Sequence, residues 1–149
     1  MTVEVDQSGR IEDLATGTAI AFSNGKNGVV FVNAGTKRKL IVYLRRSSFI
    51  PAKDLPAIIF SVVLFILIKD FKIDVLKIDE EYTGKDEVIE ETLKKLYLRS
   101  RIKKIPDIRI VRIGKRAEAH RLAWLTHRSK GRMRGTKKVS QGEILKRVQ

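Results

Sequence analysis

The sequence lacks cysteine and has little that would direct it into a membrane or out of the cell. With no cysteine among its 149 residues, the chain can form neither a disulfide framework nor a thiolate metal site. Its N-terminus, MTVEVDQSGR, has no basic stretch followed by an apolar one, so we expect no signal peptide. Asn and Gln are also scarce, as in proteins from thermophiles. These absences predict a cytoplasmic protein whose strong metal ligands are limited to carboxylates and two histidines.

A run long enough to cross a membrane is also missing. The longest apolar run, LPAIIFSVVLFILI at residues 55–68, has 14 residues and lies between Asp54 and Lys69. A helix that crosses a bilayer needs about 20 apolar residues. We therefore interpret this run as a buried core element and expect no membrane partner.

Acidic residues are scarce in the last third of the chain. Residues 1–98 contain 14 Lys and Arg against 14 Asp and Glu, whereas residues 99–149 contain 17 against 3. The net charge of +14 therefore lies in the last third. A basic surface attracts a polyanion because neutralising phosphates releases condensed counterions. We expect nucleic acid as the partner; the alternative is a basic tail that only improves solubility.

The first part of the chain has the pattern of an antiparallel meander. Residues 2–6 alternate between polar and apolar side chains, as in a half-buried strand. Residues 18–24 (TAIAFSN), 29–33 (VVFVN) and 38–45 (RKLIVYLR) are rich in β-branched and aromatic residues and are joined by short glycine-bearing links. We predict strands at all these places.

The second part alternates between helical and strand patterns. Predicted helices cover residues 47–70, 87–98 and 115–128, and predicted strands cover 73–79 and 108–114. Helical crossovers of this kind make the later strands parallel neighbours. The predicted fold is α/β: a mixed five-stranded sheet, with three antiparallel strands followed by αβαβα, and helices packed on the sheet.

We expect one domain over residues 1–128 and a basic C-terminal tail over residues 129–149. The tail has glycine and basic residues with little apolar content, which predicts flexibility before a short terminal helix. Whether the chain forms a homodimer is left open.

Four side chains fall where a predicted strand ends or a helix begins: Asp6, Asp54, Asp79 and His120. Open α/β sheets place their ligand sites at such strand ends. Clustered carboxylates hold hard cations such as Mg²⁺ or Mn²⁺, which activate water for phosphodiester hydrolysis. These four residues are the candidate catalytic and metal-binding set.

This order of elements and residues resembles the ribonuclease H-like superfamily, which includes ribonuclease H, RuvC-type junction resolvases and Piwi-type nucleases. The matching segments are VEVDQSG followed by TGTAIAF, then KDLPAI, IDEEY and AHRLA. The resemblance implies that Asp6 bridges two metal ions, that Asp79 is a further ligand, and that Asp54 and His120 supply the acid of the first helix and the last ligand. Gln7 departs from the glycine that ribonuclease H commonly has there.

Each assignment except Asp6 has an alternative. Asp54 is equally suited to capping the helix that starts at Leu55. Glu80 replaces Asp79 if the strand is shifted by one residue. Glu118 replaces His120, because residues two apart on a helix face nearly opposite ways.

The sequence thus predicts a metal-dependent nuclease that uses Mg²⁺ or Mn²⁺. The alternative function is a non-catalytic nucleic-acid-binding protein, associated with RNA or the ribosome, that keeps the same fold. In either case the expected phosphate contacts are the basic residues of the last third: Lys115, Arg116, Arg121, Arg128, Lys130, Arg132, Arg134, Lys137 and Lys138.

Overall fold

A computed structural model describes residues 1–148. Its strands are β1 (Thr2–Ser8), β2 (Thr18–Ser23), β3 (Gly28–Val32), β4 (Val75–Asp79), β5 (Asp107–Val111) and β6 (Lys137–Lys138). Its α-helices are α1 (Ala34–Ser47), α2 (Leu55–Ile68), α3 (Asp86–Arg99), α4 (Glu118–Arg128) and α5 (Gln141–Val148), with a short 3-10 turn at Ala52–Asp54. The α/β class is confirmed.

The strands form one mixed sheet in the order β5-β4-β1-β2-β3-β6. β2 runs antiparallel to β1 and β3, whereas β4 runs parallel to both β1 and β5. The predicted mixture of antiparallel and parallel strands is therefore confirmed. The predicted number of five strands is wrong, because the two-residue strand β6 pairs in parallel with β3.

The segment at residues 38–45 is helical, so the predicted strand there is wrong. It belongs to α1, whose buried residues Lys37, Leu40, Ile41 and Leu44 have the spacing of one helix face. Asn33 begins the helix by accepting a hydrogen bond from the Thr36 backbone N–H at 2.8 Å. Helix periodicity and capping thus outweigh the strand preference of the IVY triplet, and β1, β2 and β3 are the only antiparallel strands among residues 1–148.

Helix α2 is the centre of the core, as its sequence predicts. Twelve of its 14 residues are buried, which is why it has apolar residues on every side. It packs against α3, α5 and β3. Among residues 1–148, none of the helices combines the length and the apolar character that a membrane span requires.

Helix α4 covers the other face of the sheet. Val3 and Val5 of β1 belong to the main core with α2, so the alternating residues of this strand point to the α4 side. Small side chains are buried there: Ala19 and Ala21 on β2, and Ala119 and Ala123 on α4. They let the helix approach the strands closely, which carries His120 towards β1.

The C-terminal segment packs on the domain. Val139 and Ile144 are buried in the core, and α5 contacts both α1 and α2. Ser140 and Glu143 exchange hydrogen bonds at the start of α5 in a capping box. The segment therefore shares apolar burial with the rest of the fold.

Gly9, which follows β1, offers a test of how tightly this fold is packed beside Asp6. A Cβ at Gly9 would lie 2.4 Å from the Gly17 carbonyl oxygen and 2.9 Å from His127 Nε2, in a backbone conformation with φ of +80°. We predict that Gly9→Ala lowers the free energy of unfolding by roughly 2–4 kcal/mol, from backbone strain and overpacking together.

The matched control is Gly84→Ala. Gly84 has a similar φ of +75° but no atom within 4 Å of an added Cβ. Urea denaturation should show a clearly smaller loss for Gly84→Ala than for Gly9→Ala. Equal losses would mean that the contacts around Gly9 contribute nothing beyond the backbone conformation.

Candidate metal centre

The parallel pairing of β1 with β4 places two carboxylates beside each other. Val5 pairs with Ile78, so Asp6 and Asp79 follow at equivalent positions near the carboxyl ends of the two strands. Because side chains alternate along a strand, both residues point to the face covered by α4. The register thus explains why these two acids meet.

A third carboxylate, Glu81, joins this pair. One oxygen from each of Asp6, Asp79 and Glu81 lies within 4.8 Å of the others. Glu80 is not part of this group: its backbone N–H continues the pairing with β5 by bonding the Val111 carbonyl at 2.9 Å, and its side chain is exposed. We call Asp6, Asp79 and Glu81 the acidic cluster.

Glu81 is the residue that sequence reasoning missed. The pattern IDEEY offered two acids after Asp79, and only the immediate neighbour Glu80 was considered as a substitute. A signal was present, because residues two apart in extended chain point to the same side. Glu81 shares that parity with Asp79.

Asp6 is held on both oxygens. The side chain is 2% exposed; Oδ1 accepts the Gln7 backbone N–H at 2.8 Å, and Oδ2 lies 2.8 Å from His120 Nδ1. Burial raises the pKa of Asp6 above its usual value, while the hydrogen bond from His120 acts in the opposite direction. His120 itself remains partly exposed and so is open to solvent on one side.

Asp79 and Glu81 have different surroundings. Asp79 Oδ1 accepts the Ile113 backbone N–H at 2.7 Å, which fixes the carboxylate against the segment after β5. Burial, and then the neighbouring Asp79, raise the pKa of Glu81 to about 7; the charge of Asp6 adds to this, and Arg10 opposes it. Three acids at this separation repel one another, so a bound cation would relieve the strain.

The structure places the remaining predicted acids elsewhere. Asp54 Oδ1 accepts a hydrogen bond from Lys85 Nζ at 2.8 Å and makes no capping hydrogen bond to α2. Glu118 is exposed and pairs with Arg121 on the surface of α4. Thus Asp54 lies in an ion pair and Glu118 on the outer side of its helix, while His120 faces Asp6.

The second histidine also contacts β1. His127 Nδ1 lies 2.9 Å from Ser8 Oγ, on the same face of the strand as Asp6. Burial and then the nearby Lys37 charge lower the pKa of His127. Together, His120 and His127 attach α4 to β1 at two points about two turns apart along the helix.

The acidic cluster fits a hard divalent cation. Oxygens on opposite sides of a Mg²⁺ ion lie roughly 4.2 Å apart, since each Mg–O bond is about 2.1 Å. The observed separations of up to 4.8 Å need only small side-chain movements to meet one ion. Among residues 1–148, this is the one group of three or more such side chains within that distance.

All nine predicted phosphate contacts are exposed. Arg121, Arg128, Lys130, Arg132, Arg134, Lys137 and Lys138 are exposed at the surface, as are Lys115 and Arg116 before α4. The Arg128 guanidinium lies 5.1 Å above the Trp124 ring, and Arg121 is engaged by Glu118. The basic residues of the last third are thus accessible to a polyanion.

In comparisons with protein-family models, with curated proteins and with solved structures, nothing matches this chain. The inference of function therefore depends on the geometry and chemistry of the chain's own residues.

The raised pKa of Glu81 predicts a dependence of stability on pH when no metal is bound. Between about pH 4.5 and pH 7 the folded protein keeps a proton on Glu81 that the unfolded chain has released. Stability therefore falls as pH rises through this window, and the penalty is fully present above pH 7. We expect Glu81→Gln to remove it.

In EDTA, urea unfolding should show Glu81→Gln to be more stable than wild type at pH 8, with the two proteins nearly equal at pH 4.5. Glu80→Gln is the matched control and should follow the wild-type curve at both pH values, because Glu80 is exposed. A constant difference between Glu81→Gln and wild type at all pH values would contradict this assignment.

Proposed function

We propose that this protein is a metal-dependent nuclease that hydrolyses phosphodiester bonds in nucleic acid with the acidic cluster as its metal centre. The observation that carries the proposal is the convergence of Asp6, Asp79 and Glu81, with oxygens within 4.8 Å, at the carboxyl ends of adjacent parallel strands. Ligand sites of open α/β sheets lie at such ends.

The strand directions support the resemblance to the ribonuclease H-like superfamily. Three antiparallel strands come first, the first strand pairs in parallel with the fourth, and the fourth with the fifth. The candidate acids lie at the ends of the first and fourth strands, as the resemblance implies. The sixth strand and the replacement of Asp54 by Glu81 in the cluster are departures.

The acidic cluster, His120 and the basic residues of the last third would have different roles in this reaction. Asp6, Asp79 and Glu81 would hold Mg²⁺ or Mn²⁺, and the ion would activate a water molecule and stabilise charge on the leaving oxygen. His120, hydrogen-bonded to Asp6 and partly exposed, fixes the orientation of that carboxylate. The exposed basic residues of the last third would hold the phosphates of the substrate.

Asp6→Asn tests the catalytic proposal. The substitution keeps the size of the side chain but removes a ligand charge and so weakens binding of the ion, which contributes several kcal/mol of transition-state stabilisation in metal-assisted hydrolysis. We expect cleavage of labelled single-stranded, hybrid and junction substrates with Mn²⁺ or Mg²⁺ to slow by at least about 100-fold.

The matched control is Asp107→Asn. Asp107 is an exposed acid that pairs with Arg109 at the start of β5, at the opposite end of the strands from Asp79, so its removal should leave cleavage unchanged. If Asp6→Asn cleaves the substrates as fast as wild type does, the acidic cluster is not the catalytic metal centre.

Metal binding separates this proposal from a non-catalytic nucleic-acid-binding protein. If the cluster binds Mn²⁺, the ion should raise the melting temperature of wild type by several degrees at concentrations about 100 times Kd, and should do so less for Asp6→Asn. Stabilisation by nucleic acid without any stabilisation by Mn²⁺ would favour the binding protein instead.

A further inference from the structure

Helix α1 carries a basic surface that the distribution of charge along the chain does not reveal. Residues 1–98 are neutral as a whole, yet α1 contains five basic residues and no acidic one. Lys37 is buried and donates hydrogen bonds to the Arg10 carbonyl and Thr18 Oγ1, whereas Arg38, Lys39, Arg45 and Arg46 are exposed. This helix therefore presents positive charge to solvent in the part of the chain that is formally neutral.

An apolar groove runs between these cations. It is open to solvent, has a volume of about 560 Å³ and is lined by Arg38, Lys39, Val42, Tyr43, Arg46 and, at the start of α5, Gln141. Val42 and Tyr43 are 52% and 42% exposed, although both are large apolar side chains. We call this surface the α1 groove.

No carboxylate neutralises the groove. Within residues 1–148 the ion pairs involve other cations. The acid nearest in sequence to Gln141 is Glu143, and it is turned back to Ser140 in the capping box. Lys39 and Arg46 thus have no acidic partner and are available to a ligand.

The start of α1 is attached to the segment that follows β1. Arg38 Nη1 donates to the Leu14 carbonyl at 2.9 Å, and Lys37 binds the Arg10 carbonyl, so α1 is fastened to the segment that directly follows β1.

We propose that the α1 groove binds a single-stranded part of the nucleic acid, with a base stacked on Tyr43 and phosphates paired with Lys39 and Arg46. Aromatic side chains between cations are the usual means of holding single strands without reading sequence. The inference rests on the proposed nuclease function, because it names where the substrate strand lies.

An anionic membrane is the less suitable partner. A helix that inserts into a membrane surface needs a broad apolar face. On α1 the larger apolar residues Leu40, Ile41 and Leu44 are buried in the protein, which leaves only Val42 and Tyr43 outside.

The test is binding of a fluorescein-labelled single-stranded oligonucleotide to the full chain, by fluorescence anisotropy in EDTA. Tyr43→Ala should raise Kd roughly ten-fold, since stacking of one base contributes about 1–3 kcal/mol. Lys39→Gln with Arg46→Gln should raise Kd and also lower the slope of log K against log salt by about 1.4, for two phosphates.

The matched control is Lys26→Gln with Lys72→Gln, which removes the same charge from exposed positions outside the groove, in the turn between β2 and β3 and in the segment before β4. It should change Kd and the salt slope clearly less. Equal effects of the two double variants, together with wild-type binding by Tyr43→Ala, would overturn the proposal, and melting temperatures would verify that each variant folds.

The groove variants would give different results if the groove bound something other than nucleic acid. Loss of binding to phosphatidylserine vesicles in the groove variants, with oligonucleotide binding intact, would assign the groove to a membrane. Self-association abolished by Tyr43→Ala, again with oligonucleotide binding intact, would assign it to a second copy of the chain. Either result would overturn the proposal.

The assay also separates this inference from the nuclease proposal. Weaker oligonucleotide binding in the groove variants, without any metal-dependent cleavage by wild type, would retain the groove and reject the nuclease. Cleavage that depends on Asp6, with oligonucleotide binding at the wild-type level in every groove variant, would retain the nuclease and reject the groove.

Discussion

The pairing of β1 with β4 is the constraint on which the candidate site depends. Its register sets Asp6 and Asp79 side by side, and Glu81 comes near both as the chain leaves β4. Placing carboxylates together costs free energy, because each disfavours the ionised form of the others. The fold offsets part of this with a backbone N–H to Asp6, another to Asp79 and the imidazole of His120. These hydrogen bonds do not balance all the negative charge of the acidic cluster. A bound cation would neutralise the remainder.

Helix α4 depends on the same strand. Its close approach needs small residues on both sides, and Ala21, Ala119 and Ala123 provide them. Once the helix is there, His120 contacts Asp6 and His127 contacts Ser8. A larger residue at position 21 would therefore disturb the packing of α4 and, through His120, the carboxylate of Asp6. The geometry of the candidate site therefore depends on how α4 packs against the sheet.

Much of the fold could be predicted from periodicity. The uniformly apolar helix α2 and the amphipathic helix α3 have sequence patterns with few other solutions. The pattern failed at residues 38–45, where the IVY triplet favours a strand and the burial of Lys37, Leu40, Ile41 and Leu44 reveals a helix. That burial depends on the main core formed with α2, which is tertiary information and outweighs local propensity.

The candidate site could be predicted in part for a similar reason. Asp6, Asp79 and His120 were identified because strand ends and the helix after β5 meet at one edge of a parallel arrangement, and the structure brings Asp6 into contact with His120. The sequence pattern alone could not show that Asp54 forms an ion pair instead of binding a metal ion, because its partner Lys85 lies 31 residues further along the chain. The position of Glu81 depends on the path of the chain beyond β4. A shift of one residue there would point a different side chain at the site.

The short strand β6 has a consequence for the sheet's exposed edge. An unpaired edge strand offers a row of backbone N–H and C=O groups to any other extended chain and so invites aggregation. β3 would have such an edge, but Lys137 and Lys138 pair with Val30 and Phe31 and cover it. The new edge is two residues long and bears two exposed lysines, which makes it a poor template for edge-to-edge association. The C-terminal segment thereby makes intermolecular strand pairing on this side less favourable.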